Sequence, residues 1–152
     1  MPATDNFESE LLNLIFLNDN IANIGDATGV RGASTAGSFY ISLHEGALAD
    51  TNDDQADNET GYTGYQRKAI ARSGAAWTVS ATSPTQVAND SAITFGESSD
   101  GPFTITDFGL GHASSGVNAN SMFIYGSLTS NLVINNGITP EFASSALVIT
   151  VT

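Results

Sequence analysis

The chain has 152 residues, no cysteine and a formal charge of −12, from 16 acids against four bases: Arg31, Arg67, Lys68 and Arg72. That balance argues against nucleic acid and anionic membranes as partners, because both attract through neutralised phosphate. The missing thiols exclude disulfides, Cys-ligated zinc and a thiol nucleophile.

No apolar run approaches the ~18 residues of a membrane span. The start has neither the basic residues nor the cleavage site of a secretory signal. The expectation is a protein made in a reducing cytoplasm that does not leave by that route. Charged residues are only 13% of the chain, and abundant Ser, Thr, Asn, Gly and Ala suit short strands joined by turns.

Residues 5–17 carry the one strong helix signal. Asp5 can cap its start, with Glu8 three residues later as the returning acid of a capping box. Phe7, Leu11, Leu14 and Ile15 form one apolar stripe, and Leu12, Phe16 and Leu17 widen it to nearly the whole circumference. Such a helix must be buried against its own domain or against a partner. Residues 18–37 turn polar and glycine-rich (Gly25, Gly29, Gly32, Gly37) and read as a long loop or extended arm. The expected division is a helix and arm over 1–37 and a β domain over 38–152.

Phe39, Ile41 and Leu43 alternate with Tyr40, Ser42 and His44, the first clear strand. His44, at its end, is expected to face solvent. An acidic loop at 50–59 follows, with Asp50, Asp53, Asp54, Asp57 and Glu59. Tyr65 to Ala71 is a second strand and carries three of the four bases. Trp77 and Val79 begin a third, and Ile93 with Phe95 a short fourth. In Phe103–Leu110 the alternation changes phase: Phe103 and Ile105 share one parity, Phe108 and Leu110 the other. One extra residue near Thr106–Asp107, a β-bulge, would return all four to one face. A bend carrying the strand from one sheet to another is the alternative.

After a Gly/Ser/Asn loop at 111–120, Met122 to Leu128 is apolar on both faces, with Phe123 and Tyr125 on the second. It is expected to be covered on both sides. Leu132 with Ile134, the Asn136-Gly137 turn, and Leu147, Ile149 and Val151 complete about eight strands. The fold class is all-β: an antiparallel sandwich or jelly-roll-like domain with one N-terminal amphipathic helix. One core should hold Phe39, Ile41, Leu43, Trp77, Val79, Ile93, Phe95, Phe103, Ile105, Phe108, Leu110, Leu147 and Ile149.

Little in this pattern carries chemistry. The 50–59 loop could offer oxygen ligands to calcium, but it lacks the EF-hand pattern and turn chemistry accounts for it. No bound calcium and no cofactor is expected. His44 and His112 stand in no metal-binding arrangement. There is no Gly-x-Ser-x-Gly and no phosphate loop, and sequence spacing singles out no glycosidase carboxylate pair. No catalytic residue is assigned. Arg67, Lys68 and Arg72 can pair with the acidic loop of their own chain or of a neighbour. Trp77, Phe108 and Phe142 read as core.

Several segments stand in a familiar order: Leu11-Leu-Asn-Leu-Ile-Phe16, Phe39-Tyr-Ile-Ser-Leu-His44, Gly61-Tyr-Thr-Gly-Tyr-Gln-Arg67 with Ala69-Ile-Ala, Ile105-Thr-Asp-Phe-Gly-Leu110, Tyr125-Gly-Ser-Leu-Thr129, and Ile138-Thr-Pro-Glu-Phe142 with Leu147-Val-Ile-Thr150. Their order and spacing resemble a family of small virion proteins of tailed bacteriophages that carry tail-fibre or decoration labels. Relatives often follow the His44 segment with Thr-Ala-Asp-Pro-Gly, whereas Glu45-Gly-Ala-Leu-Ala-Asp50 stands here.

The resemblance implies a non-catalytic structural protein of the particle. The first expectation is a decoration or cement protein on the outer capsid surface, a homotrimer bound to the major capsid protein. The alternative is a tail-fibre or receptor-binding component that recognises host glycans. A polysaccharide-degrading enzyme is the third and least favoured. The residues expected at interfaces are Phe7, Leu11, Leu14, Phe16, Arg67, Lys68, Arg72, Phe123 and Tyr125.

Overall fold

The structure, a computed structural model, describes residues 3–22, 24, 29–82 and 84–150. Helix α1 spans Asp5–Leu12. Its N-cap is Thr4, one residue before the expected Asp5; the Thr4 hydroxyl accepts from the Phe7 amide at 3.4 Å. Both residue types can cap. Asp5 and Glu8 lie instead in the first turn, where negative charge meets the positive end of the helix dipole. Over Asn13–Leu17 the helix widens into one π turn, closed by Asn18 in the left-handed region at φ 65°. A widened turn favours a repeat longer than 3.6 residues. The buried stripe is accordingly Glu8, Leu12 and Phe16, four apart, while Phe7 is exposed and Leu11, Leu14 and Ile15 are half-buried.

Nine strands follow among the described residues: β1 (Ser38–His44), β2 (Lys68–Ala71), β3 (Trp77–Ser80), β4 (Gln86–Asn89), β5 (Ile93–Thr94), β6 (Phe103–Gly111), β7 (Met122–Ile134), β8 (Glu141–Phe142) and β9 (Val148–Thr150). They form three sheets, ordered β2-β1-β6-β7, β3-β4-β9 and β5-β8. The pairings β1–β6, β6–β7, β3–β4 and β4–β9 are antiparallel. The fold is all-β with one short N-terminal helix, as the alternation predicts. Gly25 of the expected arm and Val151 of the expected last strand lie outside the described residues.

The chain divides into two interleaved compact units. One comprises Met1–Gly37, Ala71–Ile93 and Phe142–Thr152; the other comprises Ser38–Ile70 and Thr94–Glu141. Helix α1 and the segment after it therefore share a unit with β3, β4 and β9 instead of standing apart. In this first unit the Phe16 ring meets Trp77 edge-on, centroids 5.0 Å apart, and Val87 and Leu147 are buried with them. The segment after the helix is tied down. Ile21 and Val30 exchange backbone hydrogen bonds of 2.8 and 2.9 Å. The Asn18 side chain donates to the Ala33 carbonyl at 2.8 Å and accepts from its amide at 2.7 Å. Arg72 closes the helix end, donating to the carbonyls of Ile15 (2.6 Å), Leu14 (2.8 Å) and Ala36 (3.0 Å). A cation there satisfies orphan carbonyls and complements the dipole.

In the second unit β6 shows a register break between Ile105 and Asp107, where the sequence places the irregularity, but the extra residues stand in β7 and not in β6. The register of β6 against β1 runs unbroken from Asp107 to Gly111. The irregularities lie in its other neighbour, β7. Ile105 pairs with Leu132 but Asp107 with Ser127, and between Leu110↔Ile124 and Gly111↔Met122 one residue, Phe123, is extra. Phe103 and Phe108 consequently keep opposite parities and are both half-buried, not on one face as expected. The physical reason is that β6 is central: Ile105 and Leu110, of opposite parity, are both fully buried, so either face can take apolar residues.

The residues expected in one core divide between the units. Trp77, Ile93, Leu147 and Ile149 fall in the first, and Phe39, Ile41, Leu43, Phe95, Ile105 and Leu110 in the second. Val79 is half-buried. The second cover expected over β7 is not supplied by the described residues, since Phe123 and Tyr125 remain exposed.

Arg72→Met should cost about 1.5–3 kcal/mol, the scale of hydrogen bonds from a charged donor. Chemical denaturation measures that loss. Hydrogen exchange should show helix 5–17 losing protection while the amides of β1 and β6 keep theirs.

Candidate functional site

The chemistry-bearing side chains gather on one face of the β2-β1-β6-β7 sheet. Directly opposed residues of antiparallel strands share a face. The pairs Ser42↔Gly109 and His44↔Asp107 thus join Tyr125 and Ser127, which oppose Gly109 and Asp107 from β7. The acidic loop does not extend into water; it folds back over this face. Gln55, fully buried, donates to the Tyr40 carbonyl at 2.9 Å and to the Ser42 hydroxyl at 3.3 Å, and accepts from the Ala113 amide at 3.0 Å. Asp107 accepts from the Leu48 amide at 3.2 Å and the Ser127 hydroxyl at 3.3 Å.

The acids of the loop take separate partners. Asp54 accepts from the amides of Ala56 and Asn118, Asp57 from the Asn52 amide group, and Asp50 from the Tyr125 hydroxyl.

His44 faces inward, contrary to expectation, and is fully buried. Its Nδ1 lies 2.7 Å from the Asp57 carbonyl and its Nε2 2.8 Å from the Ser42 hydroxyl. A carbonyl only accepts, so Nδ1 carries the proton and Nε2 accepts from Ser42. Burial holds the ring below its ordinary value of 6.5, against the opposing pull of the Asp57 carbonyl and the Glu59 and Asp107 carboxylates. A serine on a neutral histidine is the pairing of a nucleophile with its base. Here it is sealed. A Cβ placed on Gly109 would lie 2.7 Å from Met122 Sδ, 2.7 Å from Ser42 Oγ and 2.9 Å from His44 Nε2. No substrate atom fits where a methyl does not.

A second cluster adjoins the first. Glu59 takes both a 2.7 Å bond from Arg67 Nε and a 2.7 Å bond from Arg67 Nη2, and its Oε1 also accepts from the Tyr65 hydroxyl at 2.8 Å. The Tyr65 oxygen in turn accepts from the Leu43 amide at 3.1 Å. Burial and the Glu59 carboxylate push the Tyr65 hydroxyl far above its ordinary range, so it stays a donor. Arg67 spends further N–H groups on the carbonyls of Ala113 (3.1 Å) and Gly116 (3.0 Å). These residues floor a cleft of about 540 Å³ between Tyr40, Tyr65, Gln66 and Ser114. Its one cation and one carboxylate neutralise each other, so it offers a ligand hydroxyl, amide and ring surface but no free charge.

The predicted interface residues separate on inspection. Phe16 and Arg67 are buried in their own units, and Arg72 is committed to the helix end. The expected meeting of basic strand and acidic loop occurs within the chain, as Arg67 with Glu59. Leu11 and Leu14 are half-buried, whereas Phe7, Lys68, Phe123 and Tyr125 are exposed. Sequence reading missed Ser42, Gln55 and Asp107. The signal was present in Asp107, an acid at a strand position between apolar residues.

The arrangement binds its own loop over its own sheet, and the segments that do so span most of the chain. A family model described as podophage GP4 fiber I protein gp80 matches residues 3–150. The chain belongs to this family. No curated protein matches it. The motifs quoted above are fold-bearing in this chain: Tyr62 donates to the Gly96 carbonyl at 3.0 Å, and Tyr65, Arg67, Asp107 and Gly109 act as described.

Two outcomes test the site. Burial lowers the His44 pKa in the folded chain below the value of about 6.5 that it has when unfolded. The unfolded chain therefore binds the extra proton, and stability falls as pH drops below about 6.5 toward the lower folded value, with no such slope above it. Denaturation midpoints between about pH 7.5 and pH 5 should show this decline, and His44→Gln should flatten it. Separately, Arg67→Met leaves the Glu59 carboxylate, 16% exposed, without its cation. The loss should be about 3–5 kcal/mol, and adding Glu59→Gln should recover part of it in a double-mutant cycle.

Proposed function

We propose that the chain is a non-enzymatic structural subunit of a podophage virion fibre, assembled as a homotrimer. The family match over residues 3–150 carries this reading. The interior supports it. Ser42, His44, Tyr65, Arg67 and Asp107 are the residues from which an active site would be built, and each gives its functional group to its own chain. Such a protein works by holding its form on the particle. A decoration role differs only in place and partner: the outer shell and the major capsid protein.

Labelled protein, imaged by electron microscopy on particles of a phage that encodes it, should mark the fibres. Label spread over the shell would replace the fibre with the decoration role. Label on host cells and not on particles would overturn the structural role in favour of a soluble receptor binder.

A further inference from the structure

From Phe108 to Pro140 the chain holds no Asp, Glu, Lys or Arg, although 16 acids and four bases stand elsewhere. This stretch contains β7, the outermost strand of its sheet. It also holds the most exposed apolar side chains of the second unit, among them Val117 at 83%, Phe123 at 56% and Val133 at 48% exposed. Sheet edges in soluble proteins are ordinarily guarded by charge, lysine above all. This edge has none.

We infer that the charge-poor surface along β7 is where a second copy of this chain docks. The charge distribution selects that occupant. Two bodies of −12 repel wherever carboxylates face each other within a screening length of about 8 Å. They meet most readily where carboxylates are fewest. A basic partner would be drawn to the carboxylates elsewhere and would gain nothing here.

The contact is made by side chains, not by a longer ladder, because the shifts at Phe123 and across Leu128–Asn131 interrupt the free edge. Phe123 is already propped: His112 stacks on it at 5.2 Å and Phe39 meets it edge-on at 6.4 Å. Tyr125 is held by Asp50 at 2.6 Å, which places that carboxylate at the rim. Side chains fixed beforehand lose less freedom on docking. This deepens the self-assembly part of the reading above, yet it is tested in solution and can fail while label still marks the fibres.

Sedimentation over a concentration series at about 0.15 M salt, and again at higher salt, should show association that tightens as salt rises. Screening weakens repulsion between the bodies, and the contact has no ion pair to lose. Ser130→Glu, at an exposed position on β7, should raise the dissociation constant at least about tenfold with circular dichroism unchanged. Phe123→Ser should do the same, while Ser91→Glu, on the first unit's surface, should leave it unchanged. A monomer at every concentration up to about 1 mM would overturn the inference. So would association that weakens with salt, that ignores both β7 substitutions, or that Ser91→Glu disrupts equally.

Discussion

The Glu59–Arg67 pair is the constraint on which the second unit depends. Desolvating two charges costs several kcal/mol per ion, and attraction alone repays it poorly. Here the cost is offset by hydrogen bonds to every side of the pair. Tyr65 reaches from Glu59 to the Leu43 amide of β1, and Arg67 reaches to two carbonyls of the 111–120 loop. Three stretches of chain, β1, residues 59–67 and the 111–120 loop, are joined through one carboxylate and one guanidinium. Removing either partner would leave a buried charge and would release the loop that covers the sheet.

That covering loop explains why the sheet carries polar side chains on a buried face. A half-exposed sheet would bury Ile41, Leu43 and Leu110 and leave Ser42, His44 and Asp107 to water. With residues 45–59 laid over it, the polar face becomes an interior and each group needs a partner. The loop supplies them through Gln55, the Asp57 carbonyl and the Leu48 amide. Gly109 and Gly111 keep the sheet surface low enough for the loop to lie flat; a Cβ on Gly111 would collide with Ser121 and Gln55. The residues that resemble catalytic groups are fasteners.

Alternation in the sequence located β1 and most strand positions, because period two survives any tertiary arrangement. It located the helix too, but not its buried stripe, since a π turn changes the repeat without changing composition. It misassigned His44 and the phase of β6 for one shared reason. Alternation predicts solvent on one face, and this sheet buries polar residues on that face by folding a loop of its own chain over it. Asp107 was the clue: a lone acid among apolar strand positions implies a buried acceptor with donors aimed at it. The acidic loop read as turn chemistry alone because Asp and Asn serve turns and caps whether or not they also tie distant segments together. Only the partners decide which, and those come from residues roughly 60 positions away, such as Asn118 and Ser121.

The interleaving of the two units bears on how the chain can be built. β1 finds its partner β6 only after residues 71–93 have left to join the first unit, and β4 finds β9 only near the C-terminal end. Each unit waits on strands that stand far along the sequence from their partners. Contacts of such separation make folding slow, with loop-closure entropy lost before the pairing that repays it. An insertion between β2 and β3 or between β8 and β9 would therefore disturb an order of events as well as a place. The chain is one folding problem with two cores, and it commits to both late.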